Sequence, residues 1–321
     1  MPLTLVSEFL EVVVTPERGG DIVHLTDRIT GIQTLAESPT GAVESSAFAG
    51  GDSMVNWTNG YPGGWQLMVP NAGPERVHDG VTQGYHGEAS LARWAVLDCT
   101  PSSATLQTHL LTAPLMLERT ISLDGAELTV TDRVHNLSPL PCSFRLGQHP
   151  AFGTPFLDNT SYVLTTARTL LADAQAPGTL AAPDARGRPT DILAVGPVPH
   201  SLALPGPGTA EGLFAALTDL TPDSIDSEIT SATLCSPTHG FGMRLSWERT
   251  IYPHAWLWIE ANSRRNWPWY QRLFAIAIEP ANVLPGEGIS PGGHHRGGLG
   301  ATLAACDTLT STIRVTRVPL G

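Results

Sequence analysis

The chain has 321 residues, 41% of them hydrophobic and only 15% charged, with a formal net charge of −12. That balance excludes a disordered polar chain, leaves no apolar run of the ~18 residues that a membrane helix needs, and works against binding nucleic acid or an anionic membrane surface. All 18 basic residues are arginine, which excludes a Schiff-base lysine, a P-loop lysine and a kinase-type strand lysine.

The start, "MPLTLVSEFLEVVV", lacks a basic segment followed by an apolar core, so no signal peptide is expected. Within it "LEVVVT" alternates as a strand does. Next comes "GGWQLMVPNAGPERVHDGVTQGYHGEASLARW", from Gly63 to Trp94. It is glycine-rich, aromatic and polar, and reads as a long binding loop carrying Trp65, Asn71, Arg76 and His86. Gly87 allows a tight backbone conformation beside His86, whereas His78 reads as solvent-facing. "LERTISLDGAELTVTDRVHN" is two alternating runs joined at Asp124-Gly125, a hairpin. In "CSFRLGQHPAFG" the period of two puts His149 on the polar face with Arg145 and Gly147, and Pro150 is expected to end the strand there. Residues 171–212, rich in Ala, Pro and Gly, read as a surface excursion rather than a linker, because strand patterns resume on both sides. "HAWLWIEA" and "RLFAIAIEP" read as a strand pair around "NSRRNWPWY", and "STIRVTRV" as a closing strand. Many short strands with 32 glycines and 27 prolines between and within them indicate an all-β antiparallel sandwich or barrel, taken as one domain over 1–321. Four scattered cysteines (Cys99, Cys142, Cys235, Cys306), with no C-x-x-C pair, suit a reduced cytoplasm.

Chemistry is expected at two strand ends. In "RLFAIAIEP", Phe274, Ile276 and Ile278 share the core face. Ala275, Ala277 and Glu279 share the other, where small residues leave room for a ligand. His149 is displayed in the same way on its own strand. One histidine and one carboxylate mounted alike on a sheet suit general acid–base work. The adjacent His294 and His295 in "GGHHRGG" point apart in an extended loop and lack a carboxylate at ligand spacing, so no metal is assigned. Of the four tryptophans Trp256, Trp258, Trp267 and Trp269, at least half are assigned to the core.

"GGWQLMVPNAG", "HGEASLARW", "GQHPAFG" and "IAIEP", in that order and with fitting separations, make the chain resemble the aldose 1-epimerase (galactose mutarotase) family from about Val12 to Val318. The resemblance implies a large twisted β-sandwich, a supersandwich, with a sugar in an open cleft. It implies His149 as general acid, Glu279 as general base and His86 as a second histidine against the substrate. Asn71 and Arg76 fall in "NAGPER", similar to the family's substrate-contacting Asn/Arg segment, and the family's aspartate contact is offered by Asp219 or Asp226. It implies no cofactor, a small-molecule sugar partner, and a monomer or homodimer. A free neutral aldose is expected. Hexose 6-phosphate is the alternative substrate, with Arg264 or Arg265 to meet the phosphate, and a non-catalytic sugar-binding protein is the alternative function.

Overall fold

In the computed structural model, residues 1–39, 52–173, 178–180, 189–191, 201–285 and 300–320 are described. His294 and His295 lie outside the described residues, as does much of the excursion within 171–212.

Two large antiparallel sheets face each other. In one, the strands run in the order Leu3–Val6, Leu10–Thr15, Asp21–Asp27, Trp65–Met68, Gly147–Gly153, Phe274–Ala281, His254–Ala261, Glu211–Thr218, Thr169–Ala172 and Pro189–Asp191. In the other the order is Ser201–Ala203, Tyr162–Thr165, Ile229–Ser236, Phe241–Glu248, Thr308–Pro319, Glu127–Asn136, Leu115–Asp124, Ser103–His109 and Ala95–Cys99. The all-β sandwich expected from the alternating runs is the fold observed. Its core lies between the sheets and draws Val12, Leu67, Ile276 and Ile278 from the first and Leu117, Val130, Leu245 and Ile313 from the second. Each such side chain, taken fully out of water, contributes about 1.5–3 kcal/mol.

The Leu115–Asp124 and Glu127–Asn136 hairpin forms as read, shifted by one residue. Asp124 is already in the ladder opposite Glu127, and the two-residue loop is Gly125-Ala126 with Gly125 at φ +53°. Two expectations are corrected. First, Gly63 to Trp94 is not a single loop, because Trp65–Met68 is a central strand buried on both faces. A strand buried on both faces carries no alternation, so period two could not find it. The same stretch holds a small hairpin, Arg76–His78 with Val81–Gln83, in which His78 is half-buried rather than solvent-facing. Second, neither Pro150 nor Pro280 ends its strand. Pairing between the two strands is recorded at Gly147 with Ala281, lapses, and resumes in the same register at Ala151 with Ala277. The lapse spans the prolines, which have no N–H to give the ladder. His149 is therefore in mid-strand, and the register sets it across from Glu279.

A buried polar network ties the sheets together behind His149. Gln148, on the opposite face of the same strand, accepts from Trp65 Nε1 at 2.8 Å and from Arg119 at 3.2 Å, and its amide donates to Asp132 at 2.7 Å. Arg119 and Asp132 come from the second sheet, and their charged atoms are 3.4 Å apart. Successive side chains on a strand point to opposite faces, so clamping Gln148 into the core turns His149 outward.

Candidate active site

A cavity of about 160 Å³ opens on that outer face, an order of magnitude above the ~10–15 Å³ one water requires. Ladder register maps its floor. His149 has Gln66 on one side and Glu279 on the other, and Glu279 pairs with Trp256. One row along, Ala277 pairs with Trp258, which pairs with Phe214; in the next row Ala275 pairs with Glu260, which pairs with Gly212. Rows on one face are spaced by ~6.6–6.8 Å along the strand, so the cavity reaches roughly 13 Å from the His149–Glu279 end to the Glu260 end.

His149 Nε2 stands 3.7 Å from Glu279 Oε1. Both side chains are almost completely buried, and neither the two carboxyl oxygens nor His149 Nδ1 has a hydrogen-bond partner among the described residues. Burial pushes the Glu279 carboxyl well above its ordinary pKa and pushes the His149 imidazole down to about 4. Both shifts favour the uncharged pair, a protonated carboxyl beside a neutral ring. The two groups then hold one proton between them.

His86 is supplied by a loop that Asn71 holds in shape. The Asn71 amide donates to the carbonyls of Pro74 at 2.7 Å and Gly84 at 2.9 Å. His86 takes φ +56° and Gly87 φ +76°, the tight conformation read from that glycine. A Cβ at Gly87 would sit 2.4 Å from the Val69 carbonyl oxygen. The Gly73 N–H donates to His86 Nδ1 at 3.2 Å. Nδ1 is therefore unprotonated and the ring proton is on Nε2. Burial, and then the neighbouring His149, push the His86 pKa well below its ordinary value, so this ring is a neutral donor rather than a proton source. The two imidazoles lie 5.5 Å apart between centroids.

The aromatic wall was not foreseen. The helix Ser53–Asn59 is capped by Asp52, whose carboxylate accepts from the Val55 N–H at 2.8 Å. It sets Trp57 edge-on to His86 at 4.6 Å and stacked on Tyr61 at 4.8 Å. Trp258, Trp269, Tyr85 and Phe214 complete the wall, and Glu260, Ser263 and Arg264 line the far end. Trp256 is fully buried and Trp267 is exposed. Ala275 and Ala277 do flank Glu279 on one face as expected, but the space above them holds Tyr61, Trp57 and Trp269. The small residues make room for an aromatic cluster rather than directly for a ligand.

Three residues read as substrate contacts do not line the cavity. Trp65 is in the inter-sheet core. Asn71 is turned into its own loop. Arg76 is buried in the small hairpin, donating to Gln83 at 2.8 Å and to the Pro70 carbonyl at 3.3 Å, with its pKa lowered to about 10 by burial and by nearby Arg145. Neither aspartate candidate lines it: Asp219 accepts from the Thr169 hydroxyl at 2.6 Å, and Asp226 is exposed. Of the two arginines, Arg264 lines the cavity and Arg265 does not. Among the described residues no group of three His, Cys, Asp or Glu side chains is arranged to hold a metal ion, and no helix is long and apolar enough to cross a membrane.

The fold is that of the galactose mutarotase-like sandwiches. A galactose mutarotase-like protein from Lactobacillus casei superposes with a TM-score of 0.66 at 19% identity, over 99% of this chain and 100% of that one. The GalM/aldose epimerase homologue from C. elegans gives 0.67 at 14% identity, over 100% and 99%. A galactose mutarotase related enzyme from Lactobacillus acidophilus gives 0.67 at 16% identity, over 99% and 97%. No curated protein sequence matches this chain. The family model described as a domain of unknown function (DUF4432) matches residues 3–290, and the chain belongs to that family.

Proposed function

We propose that this protein is an aldose 1-epimerase-like isomerase that interconverts the α and β anomers of a free aldose, with His149 and Glu279 as the acid–base pair. The observation that carries the reading is the pair itself: Nε2 and Oε1 3.7 Å apart at the floor of the cavity, with neither carboxyl oxygen hydrogen-bonded among the described residues.

Ring opening of a pyranose takes a proton from the C1 hydroxyl and gives one to the adjacent ring oxygen. Those two oxygens share one carbon, so groups a few ångströms apart reach both. A pair holding a single proton is stoichiometrically what the reaction needs. With the resting proton on Glu279, that carboxyl protonates the ring oxygen while His149 accepts from the C1 hydroxyl. After the C1–C2 bond rotates, closure on the other face reverses both transfers. Glu279 then accepts and His149 donates, which are the roles the family resemblance gives them, at exchanged oxygens. His86, with its proton on Nε2, donates a hydrogen bond without titrating. Tryptophan faces suit sugar C–H surfaces, and each positioned acid or base contributes ~10²–10⁴-fold. We place the protein in the cytoplasm, on its cysteine usage.

One observation favours the phosphorylated alternative. The Arg264 guanidinium, at the end of the cavity far from the pair, has no carboxylate within 4 Å among the described residues. Anomer exchange measured by NMR on glucose, galactose and glucose 6-phosphate under one set of conditions tests both readings. Acceleration of a free hexose, lost in Glu279→Gln, is expected. Acceleration of glucose 6-phosphate alone replaces the free sugar by the phosphorylated one, and no acceleration across a wider aldose panel refutes the isomerase.

A further inference from the structure

Tyr61 is completely buried, and its hydroxyl has no hydrogen-bond partner among the described residues. It follows the short helix, on the outer side of the sheet that carries the catalytic pair. Four rings surround its own: Trp57 stacked at 4.8 Å, and Trp269, His149 and Trp258 edge-on at 5.7, 5.7 and 6.3 Å. Below it are Ala36, Ala151, Ala275 and Ala277. A tyrosine enclosed this way by rings and methyl groups could be a phenylalanine without loss of packing, so the hydroxyl requires its own explanation.

Burial, and then Glu279, Asp21 and Tyr85, push the Tyr61 phenol well above its ordinary pKa. The Glu279 carboxyl oxygens likewise have no hydrogen-bond partner among the described residues. A phenol is a donor, and an ionised carboxylate only accepts. We propose that Tyr61 is a positioning residue for the acid–base pair: its ring holds the plane of the His149 imidazole, and its hydroxyl donates to Glu279 whenever that carboxyl is ionised. The hydroxyl makes no hydrogen bond to Glu279 in this structure. Catalytic hydrogen bonds are often long before substrate binds and tighten in the complex, or pass through one water.

The other titratable groups around Glu279 come from every neighbouring element. His149 faces it from the adjacent strand, His86, Tyr85 and Arg264 line the same cavity, and the buried Asp21 carboxyl acts on Tyr61. His86 shares with Tyr61 a donor and ring contact to His149, and Tyr61 differs in that its donor is completely buried and without a hydrogen-bond partner among the described residues.

The turnover part of this inference rests on the proposed anomer exchange, but its decisive part does not. Glu279 is titrated by NMR in protein labelled with ¹³C at glutamate carboxyls, with Glu279→Gln identifying its signal and no sugar present. In Tyr61→Phe, which keeps the ring, the Glu279 acidity constant is expected to fall roughly tenfold, because the ionised form loses its donor. The anomer-exchange kcat is expected to fall on the order of tenfold with KM within about twofold, its alkaline limb moving up in pH with the carboxyl. A Glu279 titration superimposable on that of the unaltered protein overturns the inference. If the unaltered protein exchanges no anomers, the proposed function fails, and the titration still decides the role of Tyr61.

Discussion

Replacing Glu279 by glutamine separates what this carboxyl costs the fold from what it does in the cavity. In the folded chain burial holds Glu279 protonated above its ordinary range, whereas in the unfolded chain it ionises near ~4.3. The folded state therefore binds more protons than the unfolded state once pH passes that value, and stability falls as pH rises. The slope is about 1.4 kcal/mol per pH unit wherever the folded carboxyl is protonated and the unfolded one ionised. Glutamine has no proton to release and removes that slope. Its unpartnered amide adds a pH-independent penalty of about 1–3 kcal/mol. The variant is therefore less stable than the unaltered protein near pH 4.5 and gains on it as pH rises from there, while anomer exchange drops on the order of 10²-fold or more. Urea unfolding of both proteins at four pH values between about 4.5 and 7.5 is the assay. Taking the difference between the proteins cancels Asp21, which titrates in both. A stability difference independent of pH refutes the buried neutral carboxyl and the proton count on which the mechanism is built.

Trp65→Phe removes the donor to Gln148 from the inter-sheet network, so about 1–3 kcal/mol of stability is expected to go with no change in KM. A several-fold rise in KM at unchanged stability contradicts its place in the core. Gly87→Ala forces a Cβ against the Val69 carbonyl at a positive φ, so the loop carrying His86 shifts and activity falls about tenfold or more. Full activity in this variant, read by anomer exchange, makes His86 dispensable. Asp21 is raised to about 7, chiefly by burial against opposing contributions from Arg18 and Arg119 and a hydrogen bond from Gln66. Its folded pKa lies above the unfolded one, so it lowers stability as pH rises from about 4 to 7. Asp21→Asn abolishes that part of the fall, and parallel pH–stability curves for the two proteins contradict it.

The strand inventory was legible because period two is a local signal. Phe274, Ile276 and Ile278 alternate with Ala275, Ala277 and Glu279, and those two sets enter different clusters of the folded chain. His149, Glu279 and His86 were legible as well, the first two by their faces and the third by the glycine after it. All three line one cavity. Asn71, Arg76 and Trp65 were legible only as residue types in a polar stretch. Whether such a side chain meets a ligand or its own loop depends on hydrogen bonds made after folding. No local pattern shows that Asn71 is spent on the carbonyls of Pro74 and Gly84, or Trp65 on Gln148. Strand continuity through Pro150 and Pro280 was decided by the neighbouring strands, which hold the register on either side of the missing donors. The aromatic wall belongs wholly to tertiary structure. Trp57 comes from a short helix and Tyr61 from just after it, and Trp258 and Trp269 from a segment some two hundred residues later. Their meeting over Ala151, Ala275 and Ala277 is set by long-range pairing between strands, which residue order alone does not carry.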